Sequence, residues 1–215
     1  MQRLALFDLD NTLVDRDGAF RRWAEEFVAE HALPDDALPW LIEMDASGYG
    51  SKERLFGDAR ERFGLAPAVA QLWDAFRLRM PGLIECSLAT REALLSLAEV
   101  GWRIGIVTNG HALNQLGKIR QSGLDALVHA WTISGELGIA KPDRRIFAAC
   151  AAACGMDPDG GGWMVGDNPA ADIEGGSGAG LRTIWMHAGR EWPADATRPD
   201  HTVGDIPEAV ALILR

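Results

Sequence analysis

Short, continuous apolar runs that end abruptly in polar residues recur along the chain. They predict buried strands at 3–8, 103–108, 130–134, 163–167 and 182–187. Apolar residues at helical spacing between them predict helices at 88–100, 112–122 and 144–154. Strands that alternate with helices form parallel sheets. The pattern therefore predicts an α/β fold, a Rossmann-like doubly wound parallel sheet with helices on both faces, whose ligands bind beyond the carboxyl ends of the strands.

The segment between the first two predicted strands has a different pattern, with no strand and several amphipathic helical stretches. Trp23 and Phe27, for example, share one helix face and are expected to pack inside this segment. Proline and glycine separate the stretches. We predict a small inserted α-helical cap domain at 15–81, within a core formed by 1–14 and 82–215.

Composition narrows the class of protein. The 215 residues are 47% hydrophobic and 24% charged, as in ordinary globular proteins, and no apolar run approaches the length of a membrane span. We therefore expect a cytoplasmic protein. The net charge of -10 disfavours a nucleic-acid partner and suits the binding of divalent cations. The three cysteines form no CxxC pair, which favours reduced, structural thiols.

Two polar clusters follow the first two buried strands. Asp8 and Asp10 lie at i and i+2, where strand alternation directs both carboxylates to one side. Thr108, Asn109 and Gly110 offer a hydroxyl and a turn of N–H groups that suits an anion. Each cluster alone is equally typical of a simple turn or helix cap.

Two further clusters follow later strands. Lys141 is one of only three lysines, which suggests a specific role, although an exposed residue at a helix start is the alternative. Asp167 ends the predicted strand at 163–167, and Asp172 lies five residues later in a helix that Pro169 opens. Helix capping is the alternative for Asp167.

Together, in this order, the four clusters are far more specific than any one of them. Asp-x-Asp-x-Thr, Thr-Asn-Gly, Lys-Pro-Asp and Gly-Asp-x-x-x-x-Asp resemble the four motifs of the haloacid dehalogenase superfamily over essentially the whole chain. The helical insertion resembles that superfamily's cap at its first position. The stretch from Thr108 to Phe147 is similar to the branch of nucleotidase-like and sugar-phosphate phosphatases.

This resemblance implies a Mg²⁺-dependent phosphatase that acts on a small phosphate ester. Asp8 would be the nucleophile and form an aspartyl-phosphate, and Asp10 would be the general acid and base. Asp8, the backbone carbonyl of Asp10, and Asp167 would hold Mg²⁺.

The remaining motif residues would bind and position the phosphoryl group. Thr108, the Asn109 amide and Lys141 would bind its oxygens, and Asp172 would orient Lys141.

The resemblance leaves other activities of the superfamily to be weighed. Asp10 disfavours the dehalogenases, which typically lack an acid at this position. Phosphonate hydrolysis would use a cap lysine, here Lys52, but those enzymes also typically lack the second aspartate. A phosphosugar mutase shares all four motifs and stays open, as does a catalytically silent phosphate-binding module.

Substrate specificity is expected to depend on the cap. The stretch 45–54 predicts a flexible loop that offers Tyr49 for stacking and Lys52 and Arg54 for a second anionic group. His111, just past the Thr-Asn-Gly turn, is a further candidate. A solvated loop between cap helices is the alternative for the three loop residues, and a simple helix start is the alternative for His111. The sequence names neither the substrate nor the oligomeric state.

Overall fold

A computed structural model describes residues 2–215, so Met1, with which the predicted core begins, lies outside them. Its strands form one six-stranded sheet in which every pair is parallel. They are β1 (Leu4–Phe7), β2 (Arg103–Thr108), β3 (Ala130–Ile133), β4 (Trp163–Gly166), β5 (Arg182–Met186) and β6 (His201–Val203).

Ten α-helices and several short 3₁₀ or π turns complete the described part of the chain. The helices are α1 (Arg16–Glu30), α2 (Ala37–Asp45), α3 (Lys52–Phe63), α4 (Val69–Arg79), α5 (Leu88–Glu99), α6 (Ala112–Gln121), α7 (Ser134–Leu137), α8 (Arg144–Ala153), α9 (Gly175–Gly178) and α10 (Ile206–Ile213). Among the described residues, no helix combines the length and apolar character needed to cross a bilayer.

The chain divides into two compact units. The sheet unit is Met1–Val14 with Cys86–Arg215, and the helical unit is Asp15–Glu85. The chain returns from the helical unit to the sheet unit at Cys86, four residues later than the sequence predicted. The 3₁₀ turn at Met80–Leu83 packs against α1 and α4, and the Asp15 N–H donates to the Glu85 carbonyl, so this segment belongs with the helices.

The strand order β3-β2-β1-β4-β5-β6 confirms the predicted doubly wound fold. The chain winds outward in opposite directions from the β1–β4 pair, so the connections after these two strands diverge and leave a crevice at their carboxyl ends. Asp8 follows β1 and Asp167 follows β4, and the Asp8 N–H donates to the Val165 carbonyl at 2.9 Å. Sheet topology therefore brings these two aspartates to the same edge.

Helix α8 covers one face of the sheet. Ile146, Phe147 and Cys150 on α8 pack with Leu4 and Leu6, which alternation places on the same face of β1. The backbone of β2 lies very close to the thiol of Cys150. A Cβ on Gly105 would lie only 2.7 Å from the Cys150 sulfur, so glycine is needed at this position. This packing fixes β1 and thus the position of Asp8 at its end.

The helical unit has its own aromatic core. Trp23 and Phe27 are buried and stack with ring centroids 4.9 Å apart, and Trp23 meets Phe56 and Phe76 edge-on. Offset and edge-to-face pairs of this kind are favourable beyond simple burial. The expected packing role of Trp23 and Phe27 is confirmed.

Two segments differ from the sequence-based expectation. The loop predicted at 45–54 is shorter in the structure: Asp45 ends α2, and Lys52 begins α3, whose first turn is capped by the Ser51 hydroxyl, so residues 46–51 connect the two helices. Glycine-rich stretches are typical of turns, and the sequence predicts one at 175–180, but helix α9 begins at Gly175. A Cβ on Gly175 would lie 2.9 Å from Pro142 Cα, so glycine serves close packing there.

Candidate active site

Asp8, Lys141 and Asp172 form a buried row of charges at the carboxyl edge of the sheet. Lys141 Nζ lies 2.6 Å from Asp8 Oδ1 and 2.7 Å from Asp172 Oδ1. All three residues are less than 10% exposed. One ammonium therefore bridges the predicted nucleophile and the aspartate predicted to orient the lysine.

The protonation of this row follows from burial and charge. Burial raises the pKa of Asp8 to about 7, because desolvation and the neighbouring carboxylates outweigh the attraction of Lys141. Burial by itself would lower the pKa of Lys141, but Asp172 and Asp8 outweigh it and hold that pKa above its ordinary value. Lys141 is thus held as a cation, and a divalent cation beside Asp8 would lower the raised pKa of that carboxyl and favour its ionised form.

Asp172 is fully buried and engaged through both oxygens. Oδ1 accepts from Lys141, and Oδ2 accepts the Asn168 N–H at 2.9 Å. Gly166, the last residue of β4, leaves the space that this carboxylate occupies, since a Cβ there would overlap it. The predicted contact between Asp172 and Lys141 is present.

The Thr-Asn-Gly turn is joined to the lysine segment by hydrogen bonds between the Asn109 side chain and the Lys141 backbone. Asn109 Nδ2 donates to the Lys141 carbonyl at 3.0 Å, and the Lys141 N–H donates to Asn109 Oδ1 at 2.9 Å. The Gly110 N–H donates to the Ser134 hydroxyl. The side chain of Asn109 thus holds Lys141 in place. The backbone N–H of Asn109 remains the predicted phosphate donor.

Asp10 is held by helix α6. Lys118 Nζ lies 2.8 Å from Oδ1 and 2.7 Å from Oδ2, and Gln115 Nε2 donates to Oδ2 at 3.0 Å. Gln115 also donates to the buried Thr108 hydroxyl at 2.6 Å. The predicted acid and the predicted phosphate-binding threonine are therefore linked through one amide.

The oxygen ligands present suit a hard divalent cation. One carboxylate oxygen each from Asp8, Asp167 and Asp172 lie within 4.8 Å of one another, and all three residues are buried. Asp172 is committed to Lys141 and Asn168, which leaves Asp8 and Asp167 as the carboxylates for a metal. Carboxylate and carbonyl oxygens are the ligands that Mg²⁺ accepts, so the predicted metal set fits the site.

Four residues that contact the site were not predicted from the sequence. Gln115 and Lys118 lie one turn apart on α6, and the scarcity of lysine that drew attention to Lys141 applied equally to Lys118. Trp185 Nε1 donates to the Asp167 carbonyl at 2.9 Å, and Arg190 Nη2 lies 3.0 Å from Asp167 Oδ2. No sequence pattern indicated Trp185 and Arg190, because their contacts with Asp167 depend on how the chain folds after β4.

The specificity candidates are divided between the two units. Tyr49 and Arg54 are exposed, and Arg54 pairs with Asp58 on the same helix. Lys52 Nζ is 2.6 Å from the buried Asp45, an ion pair internal to the helical unit. In the sheet unit, His111 precedes α6 and is exposed. Their part in specificity stays a prediction.

Comparison with known proteins agrees with this geometry. The family model of the haloacid dehalogenase-like hydrolases matches residues 2–180, and the chain belongs to that family. A phosphoserine phosphatase from Thermus thermophilus is 34% identical over 200 residues, covering 90% of this chain and 78% of the relative. The pyrimidine 5'-nucleotidase YjjG from Escherichia coli is 32% identical over 221 residues, covering 97% and 96%.

A solved structure supports the fold. The HAD-hydrolase YfnB from Bacillus subtilis, in a form bound to magnesium, superposes with a TM-score of 0.80 at 21% identity and covers 98% of each chain. With the curated relatives, the family assignment places the chain in the phosphatase branch, as a phosphoric monoester hydrolase.

Proposed function

We propose that this phosphatase is Mg²⁺-dependent and hydrolyses a small phosphomonoester through an aspartyl-phosphate on Asp8. The observation that carries the proposal is the position of Asp8: it is buried at the end of β1, 2.6 Å from the Lys141 ammonium, with an Asp167 oxygen within 4.8 Å. A carboxylate between two sites of positive charge can attack an anionic phosphoryl group.

The reaction divides into two displacements. Asp8 attacks phosphorus, the bond to the ester oxygen breaks, and Asp10 gives that oxygen a proton. Water then attacks the aspartyl-phosphate while Asp10 accepts its proton, and Asp8 is released. The contacts of Lys118 and Gln115 hold the Asp10 carboxylate in one orientation for both transfers.

The phosphoryl oxygens are bound by the donors at the carboxyl edge of the sheet. Thr108, the Asn109 backbone N–H and Lys141 take these oxygens, and Asp172 keeps the lysine charged and fixed. Mg²⁺, held by Asp8, the Asp10 carbonyl and Asp167, would supply the remaining positive charge for an attack of one anion on another.

The substrate class follows from the family and from charge. The relatives named above act, by their names, on phosphoserine and on pyrimidine nucleotides. We propose a small phosphate ester for this chain, and no nucleic-acid polymer, because the net charge is -10. Tyr49, Lys52, Arg54 and His111 are the proposed specificity residues, and we place the enzyme in the cytoplasm.

The direct test is phosphate release from a panel of amino-acid, sugar and nucleoside monophosphates, with Mg²⁺ and with excess chelator. We expect metal-dependent release from a few related compounds. Acid quenching during turnover of a ³²P-labelled substrate should trap label on the wild-type protein but not on Asp8→Asn.

Other outcomes separate the alternatives. Isomerisation of a sugar phosphate without net phosphate release would indicate a mutase. Phosphate binding without turnover of any compound by folded protein would indicate a silent module. Release that is unchanged in chelator would contradict the metal assignment.

A further inference from the structure

Asp167 is held by two side chains from β5 and the loop that follows it. Trp185 Nε1 donates to the Asp167 backbone carbonyl at 2.9 Å. Arg190 Nη2 donates to the same carbonyl at 2.8 Å and to the carboxylate Oδ2 at 3.0 Å. A single guanidinium nitrogen therefore joins the main chain and the side chain of one aspartate.

The guanidinium of Arg190 is itself fixed. Its Nε donates to the His187 carbonyl at 3.3 Å, Nη2 lies 3.4 Å from the Met186 carbonyl, and the group lies over the Trp185 ring at 5.9 Å. These contacts give it a rigid base at the end of β5. A fixed donor that joins O and Oδ2 of Asp167 restricts rotation about that side chain's first torsion, so the carboxylate is held in one orientation.

We propose that Arg190 is a positioning residue for the metal site, which sets Mg²⁺ affinity by holding the Asp167 carboxylate in its ligating orientation. This inference rests on the metal site of the proposed function. Side chains that hydrogen-bond to metal ligands typically change metal affinity about 10–100-fold when they are removed.

Two effects of Arg190 on Mg²⁺ oppose each other. Its positive charge disfavours a dication, whereas its hydrogen bonds orient a ligand before the metal arrives. The Arg190 side chain is 37% exposed and that of Asp167 only 5%, so solvent screens the charge of the arginine while the contact with the buried carboxylate persists. Orientation is therefore the larger effect.

Isothermal titration of the full-length protein with MgCl₂, without substrate, tests the proposal. We expect Arg190→Met to bind Mg²⁺ about 10–100-fold more weakly than wild type. Arg190→Lys should be intermediate, because an ammonium can still donate to Asp167 but lacks the Nε–H that holds the guanidinium on the His187 carbonyl. Arg198→Met removes an exposed arginine from the same loop and should bind as wild type. Thermal melting in chelator checks that each variant is folded.

The outcomes separate this inference from the metal site itself. Asp167→Asn should lose most Mg²⁺ binding, and wild-type protein that binds no Mg²⁺ would overturn both the site and the inference. Wild-type binding together with unchanged affinity in folded Arg190→Met would overturn the inference alone. Tighter binding in that variant would do the same, because charge repulsion would then outweigh orientation. If Arg190→Met does not fold, Arg190→Lys decides, with unreduced affinity as the contradicting result.

Discussion

The ammonium of Lys118 contacts both carboxylate oxygens of Asp10, at 2.8 and 2.7 Å. Lys118 is 3% exposed and lies on α6, far from Asp10 in the chain. A buried ammonium that contacts both oxygens of a carboxyl group holds that group in one position. Lys118 is therefore a positioning residue for Asp10.

Replacing Lys118 should slow turnover. In Lys118→Met, Asp10 loses its bidentate contact, and we expect kcat to fall roughly 10–100-fold, a part of the ~10²–10⁴-fold that a general acid and base contributes. KM should change little, because the proposed phosphate-binding groups stay in place. Steady-state kinetics measures both. Lys118→Arg, which keeps the charge, should recover part of kcat, and wild-type kcat in folded Lys118→Met would refute this role.

Asp8→Asn should abolish phosphate release with the fold retained. The amide oxygen is too weak a nucleophile to attack phosphorus, so no aspartyl-phosphate can form. Phosphate assays and circular dichroism are the measurements. Asp143→Asn is the matched control, because Asp143 caps α8 outside the buried row and asparagine caps equally well. Turnover at the wild-type rate by Asp8→Asn would place the nucleophile elsewhere.

Gly166→Ala should damage the site through Asp172. The new Cβ would overlap the Asp172 carboxylate, so that side chain must move and Lys141 loses its partner. We expect a loss of about 1–3 kcal/mol in the free energy of unfolding from this overpacking, together with reduced kcat. Urea unfolding and kinetics report the two effects.

A second glycine serves as the control for that substitution. A Cβ on Gly178, in helix α9, would meet no atom within 4 Å. Gly178→Ala should therefore be neutral or stabilise by about 0.4–1 kcal/mol. Equal effects of the two substitutions would show that space around Asp172 is not limiting.

Asp45→Asn should destabilise the protein at neutral pH. Asp45 is 2% exposed and accepts from Arg16 at 2.7 Å and from Lys52 at 2.6 Å. Its loss leaves the buried Arg16 guanidinium without this carboxylate, which costs about 3–5 kcal/mol. Asp58→Asn, which removes a surface partner of Arg54, should cost at most about 1 kcal/mol.

The difference in stability between wild type and Asp45→Asn should change with pH in a definite direction. Burial raises the pKa of Asp45, but hydrogen bonds and charges from Arg16 and Lys52 outweigh burial and hold the pKa below its ordinary value of 3.8. A lowered folded-state pKa stabilises the protein above pH 3.8, and this contribution is lost as pH falls through the lower value. Urea unfolding across pH should show the gap between wild type and Asp45→Asn narrowing in acid. A gap that widens in acid would contradict the assignment.

Much of the fold could be predicted because the relevant signals are local. The five buried strands predicted from apolar runs lie within one or two residues of those observed, and the Asp8 and Asp167 motifs follow two of them. Helix formation at Gly175 was missed, since glycine is a poor helix former and its close approach to Pro142 is a tertiary property. The loop at 45–54 was predicted too long for the same kind of reason: the Asp45–Lys52 pair forms only once α2 and α3 pack.

The sequence by itself determined the strand and helix pattern, the four motifs and the family, because each depends on residues that are neighbours in the chain. Only the tertiary structure decided which other side chains contact and orient the motif residues. Lys118 reaches Asp10, and Arg190 reaches Asp167, across turns whose course depends on how helices and strands pack. Contacts between distant residues are set by that packing, so local periodicity and motif spacing carry no record of them.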